Sequence, residues 1–586
     1  MVSQKLESVL NLGLSLDARQ RNLSGELDTA FQEETGTWEL IVKYNGDLLQ
    51  YAREGIVVET LIAGYAIVTI RENLIEEFVR IPEVEYVEMP RRLFYSVAQA
   101  KAASCFSGQI IRQNLTGQGV LLAVIDSGID YTLPCFRKED GATRIRYIWD
   151  QSLIAQQGEQ PPEKFAIGVE YDREQIDEAL RTGVRLRTRD VSGHGTAVAS
   201  IAAGNDPAMQ LIGAAPECEL LVVKLGNPGQ TSFPKTTELM RALTYVTDKA
   251  KELSMPTAIN LSFGNTYGSH DGTSILERFV DNVAEIGRIV ICVGSGNEGA
   301  AAGHTSGVIN ENATKNVELA VGSFQNSFSV QLWKNYVDTM ELVLVAPGGE
   351  RRQIVMESPG KSVLDFAGQQ VLCYVGEPNP YSVNQEIYLE WLISPGVYVE
   401  SGVWRFLITG VRIVSGRFLM YLPSEQILSS ETRFYSPVPQ TTLTIPSTAS
   451  KVITVGAYNS SFDAYADFSG RGYPDEGALN GSRVEDSFIE SGQLVKPDLV
   501  APGVDVLAAA VGDGMEYVSG TSFATPLVTG AAALLMEWGI VRGNDPYLYG
   551  EKIKAYLRKG ARPLRGVSGY PNARVGYGKL CVSESF

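Results

Sequence analysis

Three stretches of this 586-residue chain each place one chemically competent side chain among glycines and other small residues. Asp126 follows the apolar run 120–125, His194 lies between two glycines, and Ser522 precedes the Ala-rich apolar run 527–538. A carboxylate, an imidazole and a hydroxyl can together make a nucleophile, because the imidazole takes the hydroxyl proton and the carboxylate orients the imidazole. The chemistry that these residue types suggest is therefore acyl transfer through serine.

The residues around each candidate predict how it is held. Asp126 ends a predicted strand, and the carboxyl edge of a parallel sheet is where sites assemble. Gly520 permits a tight turn, which would place Ser522 at a helix N-terminus, where backbone N–H groups favour developing negative charge. On its own, the octapeptide 519–526 also fits a Ser/Thr-capped core helix. The chain has only three histidines, so the glycine-framed His194 is a candidate for function.

The order Asp126, His194, Ser522 is one of the three chain orders of the serine triad. With the motifs around these residues, the chain resembles the subtilisin-like serine proteases, or subtilases. The resemblance implies a doubly wound α/β catalytic domain with a parallel sheet. It also implies that Ser522 is the nucleophile, that His194 is the general base and later the acid, and that Asp126 orients the imidazole.

A fourth stretch fits the same family. A predicted buried strand, 289–293, leads into Gly294-Ser295-Gly296-Asn297. By the resemblance, Asn297 and the backbone N–H of Ser522 form the oxyanion hole, which stabilises the charge that develops on the substrate carbonyl. Taken alone, Asn297 would be a turn residue in a glycine-rich loop.

The resemblance also implies the substrate-binding residues, which all follow predicted strands. They are Ser262, Phe263 and Gly264 on one wall of the first specificity pocket, Gly294, Ser295 and Gly296 on the other, and Leu225 and Gly226 in a segment that pairs with extended substrate. Taken singly, each motif is equally compatible with an ordinary turn after a strand.

The composition limits the kinds of partner that the protein can have. The formal net charge of −18 argues against nucleic acid or an anionic membrane as a partner. No apolar run reaches the ~18 residues of a membrane span, and the N-terminus lacks the pattern of a secretion signal. The six cysteines have neither zinc-site nor disulfide-framework spacing, so we expect reduced, mostly structural thiols. No cofactor is expected.

Residues 1–96 are predicted to form an N-terminal segment and a small α+β domain. The order β-α-β-β-α-β is ferredoxin-like and resembles the subtilase prodomain, which stays bound non-covalently after self-cleavage. The tail that follows is expected to be cut near Tyr95, Ser96 and Val97, within the window from Tyr95 to Gln99. The alternatives are an unrelated small domain and an uncut linker.

The catalytic domain is predicted in two parts, residues 97–309 and 441–586. Its expected parallel strands are short and almost continuously apolar, as in sheets covered on both faces. These strands are residues 120–125, 220–224, 258–261, 289–293 and 452–457. Between the two parts, residues 310–440 read as many short strands, which favours an inserted β domain of jelly-roll type. We expect this domain to rigidify the protein without supplying active-site residues.

One position departs from the family pattern. Many subtilases carry a calcium-binding aspartate shortly after the catalytic one, and Cys135 stands at that place here. Calcium needs several hard oxygen ligands, and a thiol is a poor substitute. We therefore expect no strong calcium site, although the loop 204–212 could bind an ion through backbone carbonyls.

A prodomain, a subtilase core split by a β domain and no secretion signal together resemble the Csp proteases of clostridial spores. Members of that group activate the precursor of a hydrolase that degrades the spore cortex during germination. The resemblance implies a serine endopeptidase made as a self-cleaving proenzyme, with a protein substrate and a place in the cytoplasm or the spore. Two alternatives stay open: a catalytically inactive germinant sensor or scaffold, and a general intracellular or gut-bacterial subtilase.

Overall fold

The computed structural model describes residues 3–586 except 22, 25–26, 28, 33–34, 96–103, 106–113, 229–232, 357, 367, 395, 474–494 and 513. Within these residues the chain builds three parts. An N-terminal antiparallel sheet comes first, a mainly parallel sheet with flanking helices follows, and two further antiparallel sheets are inserted into that second part.

The described residues of the N-terminal part contain three short α-helices and five strands. They are α1 (Ser8–Leu14), α2 (Ala18–Arg21), β1 (Phe31–Gln32), β2 (Thr37–Tyr44), β3 (Ile56–Thr60), β4 (Tyr65–Arg71), α3 (Ile75–Val79) and β5 (Val84–Glu88). The four main strands lie in the order β3-β4-β2-β5, all antiparallel, and β1 pairs with the start of β2. Alternation along β2 sends Trp38, Leu40 and Val42 into the core of this part.

The β-α-β-β-α-β order places its first helix at residues 47–53, but the structure has only a three-residue 3₁₀ turn there, Leu49–Tyr51. Asp47 accepts a hydrogen bond from the backbone N–H of Leu49, which is a turn interaction that competes with helix. The ferredoxin-like description of this part therefore stays a prediction.

A short tail strand follows, and then the first half of the second part, which contains the strands that the apolar runs predict and several that they do not. In chain order, these elements are β6 (Phe94–Tyr95), β7 (Leu121–Asp126), β8 (Ile145–Asp150), β9 (Val169–Asp172), α4 (Arg173–Thr182), α5 (His194–Ala203), β10 (Asn205–Asp206), β11 (Leu211–Ile212), β12 (Glu219–Lys224), α6 (Thr236–Leu253), β13 (Thr257–Leu261), β14 (Phe263–Gly264), α7 (Ile275–Ala284) and β15 (Ile289–Gly294). The stretch from 138 to 190 adds β8, β9 and α4, and it extends the sheet beyond β12.

The inserted part begins at His304 and contains eleven described strands. They are β16 (His304–Val308), β17 (Thr314–Val321), β18 (Ser329–Asn335), β19 (Thr339–Val345), β20 (Arg351–Ile354), β21 (Gly360–Phe366), β22 (Gln369–Val375), β23 (Asn384–Leu392), β24 (Gly402–Arg412), β25 (Arg417–Tyr421) and β26 (Arg433–Phe434). They form antiparallel sheets in the orders β16-β25-β18-β23-β22-β21 and β20-β19-β24-β17-β26. Side chains from both sheets, among them Trp391 and Trp404, form one hydrophobic core. The jelly-roll assignment stays a prediction.

The chain then completes the second part. Its elements are β27 (Ile453–Asn459), β28 (Ala464–Tyr465), β29 (Leu499–Pro502), β30 (Val506–Ala509), β31 (Met515–Val518), α8 (Thr521–Met536) and α9 (Glu551–Gly560). The large sheet has the order β28-β27-β15-β13-β7-β12-β8-β9, with β29 beside β27. All pairings except those of β9 and β28 are parallel.

Two hydrophobic cores cover the two faces of this sheet. Along β7, Leu122 and Val124 face the core that contains α5 and α8, and Leu121, Ala123 and Ile125 face the core that contains α6 and α7. This alternation is the reason that the strand reads as one continuous apolar run. The predicted doubly wound α/β sheet is confirmed.

The N-terminal part packs against both other parts. Its helix α1 lies on β22 and β23, where Tyr374 and Tyr388 share one core with Leu10. On the side that faces α6, the buried Arg241 of that helix donates hydrogen bonds to Glu39 at 2.8 Å and to Glu59 at 2.9 Å, and both glutamates belong to the N-terminal part. The contact surfaces are thus apolar on one side and ionic on the other.

Among the described residues, one helix is long and apolar enough to satisfy the length and composition test for a membrane span. It runs from Thr521 to Val541, and 78% of its most apolar window is buried inside the protein. It is the central helix of the second part, and a short π-helical stretch, Glu537–Val541, ends it. The apolar run 527–538 predicts most of this helix, and the small residues and threonines before it make the run shorter than a membrane span.

Candidate active site

The three predicted triad residues come from the ends of three elements. Asp126 is the last residue of β7, His194 is the first residue of α5, and Ser522 is the second residue of α8. Helices α5 and α8 pack against each other. The ring of Phe523, next to Ser522, lies 5.2 Å from the imidazole of His194. The structure therefore brings the three residues to one edge of the sheet.

Asp126 and His194 are hydrogen-bonded. Asp126 Oδ1 lies 2.7 Å from His194 Nδ1 and also accepts a 2.7 Å bond from the backbone N–H of Ser127. The carboxyl group is fully buried, and His194 is 5% exposed. A buried carboxylate on Nδ1 fixes the imidazole with a proton on that nitrogen, so Nε2 is the nitrogen that can accept one.

Ser522 lies beside β14. Its Oγ donates a 2.8 Å hydrogen bond to the carbonyl of Ser262, and its own carbonyl accepts a 2.9 Å bond from Ser262 Oγ. The preceding Gly520 has φ +147°, a backbone conformation that side chains disfavour, and this turn sets Ser522 at the start of α8. The hydroxyl must leave the Ser262 carbonyl to give its proton to an imidazole.

Asn297 has a fixed amide. Its Oδ1 accepts 3.1 Å hydrogen bonds from both the backbone N–H and the hydroxyl of Thr521. With the oxygen held this way, the amide nitrogen is the end left to face the cavity that Asn297 and Ser522 line together. Thr521 is a positioning residue that the sequence reading missed, although it stands between the turn glycine and the candidate nucleophile.

The cavity beside Ser522 has a volume of about 180 Å³. It gathers residues from both predicted walls with others from the inserted part. The lining includes Ser262, Phe263, Gly264, Gly294, Gly296, Asn297 and Ser522, together with Glu298, Ser424, Glu425 and Gln426. The expectation that residues 310–440 supply no active-site residue stays a prediction, although three of these residues line the cavity. Ser424, Glu425 and Gln426 reach the cavity because they follow β25, which ends beside the catalytic part.

Glu298 makes this cavity acidic. Its side chain accepts a 3.0 Å hydrogen bond from Ser424 Oγ. Burial raises the pKa of Glu298 to about 7, and the bond from Ser424 opposes this shift. The charge of the cavity therefore changes near neutral pH.

Asp190 is a second positioning residue that the sequence reading missed. Its carboxylate accepts bonds from the backbone N–H groups of Gly193 and Thr196 and from the Thr196 and Ser127 hydroxyls, at 2.7–3.0 Å. It thus fixes the start of the His194 helix to the Asp126 loop. The sequence signal that could have identified it is its position shortly before a predicted helix, where aspartate is a preferred capping residue.

Some predicted site residues lie outside this cavity. Ser295 turns away, with its hydroxyl 3.3 Å from that of Ser469. Leu225 is buried beside β7, where its N–H donates to the Asp126 carbonyl at 2.8 Å, and Gly226 packs against Ser152. Their assignment as substrate-binding residues stays a prediction.

The N-terminal tail approaches Ser522 along the cavity wall. Tyr95 and Phe94 pair antiparallel with Phe263 and Gly264. A second contact joins the tail to the segment before α6, because the Leu93 N–H donates to the Pro234 carbonyl at 2.7 Å. Of the predicted cleavage residues, Ser96 and Val97 lie outside the described residues.

Comparison with protein families gives two matches. A model described as "Subtilase family" matches residues 117–380 and 430–578, and one described as "Csp protease B prodomain" matches residues 4–91. Two named relatives are the PII-type proteinase of Lactococcus lactis subsp. cremoris, 24% identical over 500 residues, and subtilisin NAT of Bacillus subtilis subsp. natto, 26% identical over 290 residues. These matches cover 78% and 48% of this chain but only 25% and 61% of the relatives' own lengths.

A solved structure is similar over most of the chain. It is the CspB protease of Clostridium perfringens, with 32% sequence identity and a TM-score of 0.71. The match covers 82% of this chain and 95% of that protein's chain.

Proposed function

Since this chain belongs to the subtilase family, whose members are serine endopeptidases, and resembles the Csp proteases, we propose that it is a serine endopeptidase made as a self-cleaving proenzyme. The observation that carries the proposal is the 2.7 Å contact between buried Asp126 and His194 at the sheet edge that also holds Ser522. A carboxylate that orients an imidazole beside a serine is the arrangement that activates a serine nucleophile.

In the proposed mechanism, Ser522 turns its hydroxyl from the Ser262 carbonyl to Nε2 of His194. The imidazole takes the hydroxyl proton as the oxygen attacks the substrate carbonyl, and it later gives that proton to the leaving amine. Asp126 holds the proton on Nδ1 and stabilises the imidazolium. A water molecule then attacks the acyl-enzyme. His194 takes a proton from this water and returns a proton to Ser522 Oγ as the acyl group leaves.

The charge on the attacked carbonyl oxygen requires donors that are in place beforehand. We assign this role to the amide nitrogen of Asn297 and the backbone N–H of Ser522. Thr521 holds Asn297 by two hydrogen bonds, so the amide does not have to reorganise during the reaction, which is what makes such donors effective. The start of α8 adds the partial positive charge of a helix N-terminus.

The N-terminal part is proposed to be the folding chaperone and first substrate. Its tail lies as an added strand on the cavity wall, which is how an extended peptide binds a sheet edge. The bonds from Arg241 to Glu39 and Glu59 would keep the N-terminal part bound after cleavage. Burial raises the pKa of Glu39, but attraction by Arg241 and Lys235 outweighs it and the net pKa is lowered, so the pair stays ionised.

The finer assignments follow from the resemblance to the Csp group. We propose a ferredoxin-like prodomain within residues 1–96, a catalytic domain of residues 97–309 and 441–586, and a jelly-roll domain of residues 310–440. We further propose that the protein acts in the cytoplasm or the spore. Its substrate would be a precursor of a spore-cortex hydrolase, which it would activate during germination.

Labelling with a serine-directed fluorophosphonate tests the activity. We expect the wild type to be labelled on Ser522, the Ser522→Ala variant to be unlabelled, and the matched Ser519→Ala variant to be labelled like the wild type. Equal labelling of Ser522→Ala and the wild type would refute the nucleophile assignment. An inactive sensor would give no labelling of any variant. A general subtilase would be labelled but would fail to convert a cortex-hydrolase precursor in preference to casein.

A further inference from the structure

Cys105 and Cys581 lie side by side where the start and the end of the catalytic part meet. The backbone N–H of Val582 donates to the carbonyl of Ser104 at 3.4 Å, so the two cysteines flank one hydrogen bond between two distant segments. The thiol of Cys581 lies close enough to that of Cys105 to raise the pKa of Cys105. The Arg562 guanidinium stands beside them, with Nη1 3.7 Å from Cys105 Sγ.

This arrangement suits a disulfide. A disulfide requires its two Cα atoms to lie within several ångströms of each other, and two directly hydrogen-bonded peptide groups hold their neighbouring Cα atoms at such a spacing. Both thiols are free in this structure. The other four cysteines are buried, whereas Cys105 is partly exposed and can be reached by a small reagent.

We propose that Cys105 and Cys581 close a reversible intramolecular disulfide when the protein meets a low-molecular-weight disulfide such as oxidised glutathione. The thiolate of Cys105 attacks one glutathione sulfur, the glutathione S–S bond breaks, and one glutathione leaves and takes up a proton. The thiolate of Cys581 then attacks the Cys105 sulfur, and the second glutathione leaves. Two protein thiols are oxidised, and one glutathione disulfide is reduced to two thiols.

The surroundings set the order and the rate of these steps. Cys105 reacts first because it is partly exposed and Cys581 is fully buried. Burial and the neighbouring thiol of Cys581 raise the pKa of Cys105 to about 11, so little thiolate is present at neutral pH. The positive charge of Arg562 favours the thiolate once it forms. The reaction is slow at neutral pH and faster in alkaline solution.

The disulfide would join two segments of the catalytic part that are far apart in the sequence. Cys105 lies beyond the predicted cleavage window, so the bond would not hold the prodomain. It would instead fasten the new N-terminal arm of the mature chain to its C-terminal end. Oxidised protein should therefore unfold at a higher temperature than reduced protein, because the cross-link restricts the unfolded chain.

The test incubates the full chain with oxidised glutathione in mildly alkaline buffer, then counts free thiols with a maleimide after denaturation and maps the peptides by mass. We expect two of the six thiols to disappear, a peptide carrying Cys105 to be joined to one carrying Cys581, and dithiothreitol to reverse the change. Retention of six free thiols would overturn the proposal, as would a persistent glutathione adduct on Cys105 beside a free Cys581.

Three variants make the result specific. Cys581→Ser should retain glutathione on Cys105, because the resolving thiol is gone. Cys105→Ser should lose no thiol, and its partly exposed position makes the change mild for the fold. The matched Cys373→Ala variant removes a cysteine buried in the inserted part and should still form the bond. A bond that forms equally in Cys105→Ser would refute the pairing.

Discussion

The guanidinium of Arg144 donates a 2.6 Å hydrogen bond to the backbone carbonyl of Cys135. It also donates to the carbonyls of Cys218, at 2.9 Å, and Ala203. Burial lowers the pKa of Arg144, but an arginine starts so far above neutrality that it stays charged. A built-in cation thus collects backbone oxygens beside the position where many subtilases have a calcium-binding aspartate.

From this relationship we predict that chelation leaves stability unchanged, whereas Arg144→Met lowers it. Each buried carbonyl that loses its donor costs ~1–3 kcal/mol, so the variant should lose about 3 kcal/mol or more. Urea unfolding of both proteins in the Ser522→Ala background, with and without EDTA, measures this. The control is Arg146→Met, which removes a partly exposed ion pair to Glu219 and should cost about 1 kcal/mol or less. A large loss of stability in EDTA that calcium restores would contradict the prediction.

A second prediction concerns the oxyanion hole. Asn297→Ala should fold normally and lower kcat by ~10²–10³, the loss measured for a comparable asparagine in subtilisin. Thr521→Val keeps its backbone N–H on Asn297 Oδ1 and loses only the hydroxyl bond, so its loss should be smaller. Steady-state kinetics on one peptide, with circular dichroism as the folding check, separate the two. An unfolded Asn297→Ala, or one with normal kcat, would place Asn297 among structural residues.

The sequence predicts the elements that carry the triad because their signals are local. A continuous apolar run before Asp126 indicates a doubly covered strand, and glycines beside His194 and Ser522 indicate close approaches. Gly195 shows why: a Cβ there would lie 2.2 Å from the carbonyl oxygen of Gly128. A close approach of this kind requires a glycine at one position, so the sequence alone can indicate it.

The supporting contacts could not be read in this way. Thr521 and Asn297 are far apart in the chain, and nothing local indicates that one orients the other. The same holds for Ser424, which reaches the cavity only because β25 ends there. The first predicted prodomain helix failed because a turn at Asp47 competes with it.

A third prediction is that stability falls as pH rises across the mildly acidic to neutral range. Three carboxyls, one from each part, lie near one another: Glu277 and Glu386 are buried, and Glu88 is half-buried. Burial raises the pKa of Glu88 to about 8, with Glu277 and Glu386 adding to the shift. Burial also raises the pKa values of Glu277 and Glu386 to about 7. The backbone N–H of Ile275 is the group that opposes the shift of Glu88, at 3.3 Å.

The sign follows from proton counting. Between the ordinary glutamate pKa and the raised one, the folded protein holds more protons than the unfolded chain, so raising the pH favours unfolding. Each group contributes at most ~1.4 kcal/mol per pH unit within its window. The loss begins above the ordinary pKa and ends near the raised pKa.

Thermal unfolding of the Ser522→Ala protein at about pH 5 and about pH 8 tests this linkage. The Glu88→Gln variant should lose less stability over this range, because its neutral amide replaces a carboxyl that ionises. Glu85→Gln, on the exposed face of the same strand, should behave like the parent. Identical pH profiles for all three proteins would show that the buried carboxyls do not govern stability.

The last prediction concerns maturation. The tail residues Phe94 and Tyr95 already pair with Gly264 and Phe263, and the adjoining Ser262 touches Ser522. An extended chain advances ~3.3 Å per residue, so only a few more residues separate Tyr95 from the nucleophile. We therefore expect self-cleavage between Tyr95 and Gln99.

Intact mass and N-terminal sequencing should find two fragments in the wild type and in Ser519→Ala, and one chain in Ser522→Ala. The two fragments should co-elute in gel filtration, because the buried bonds from Arg241 to Glu39 and Glu59 join them without a covalent link. Glu39→Gln removes one charge from that cluster and leaves Arg241 less compensated, so the small fragment should dissociate more readily in urea. A single uncut wild-type chain that is nevertheless labelled by fluorophosphonate would refute self-processing while leaving the protease assignment intact.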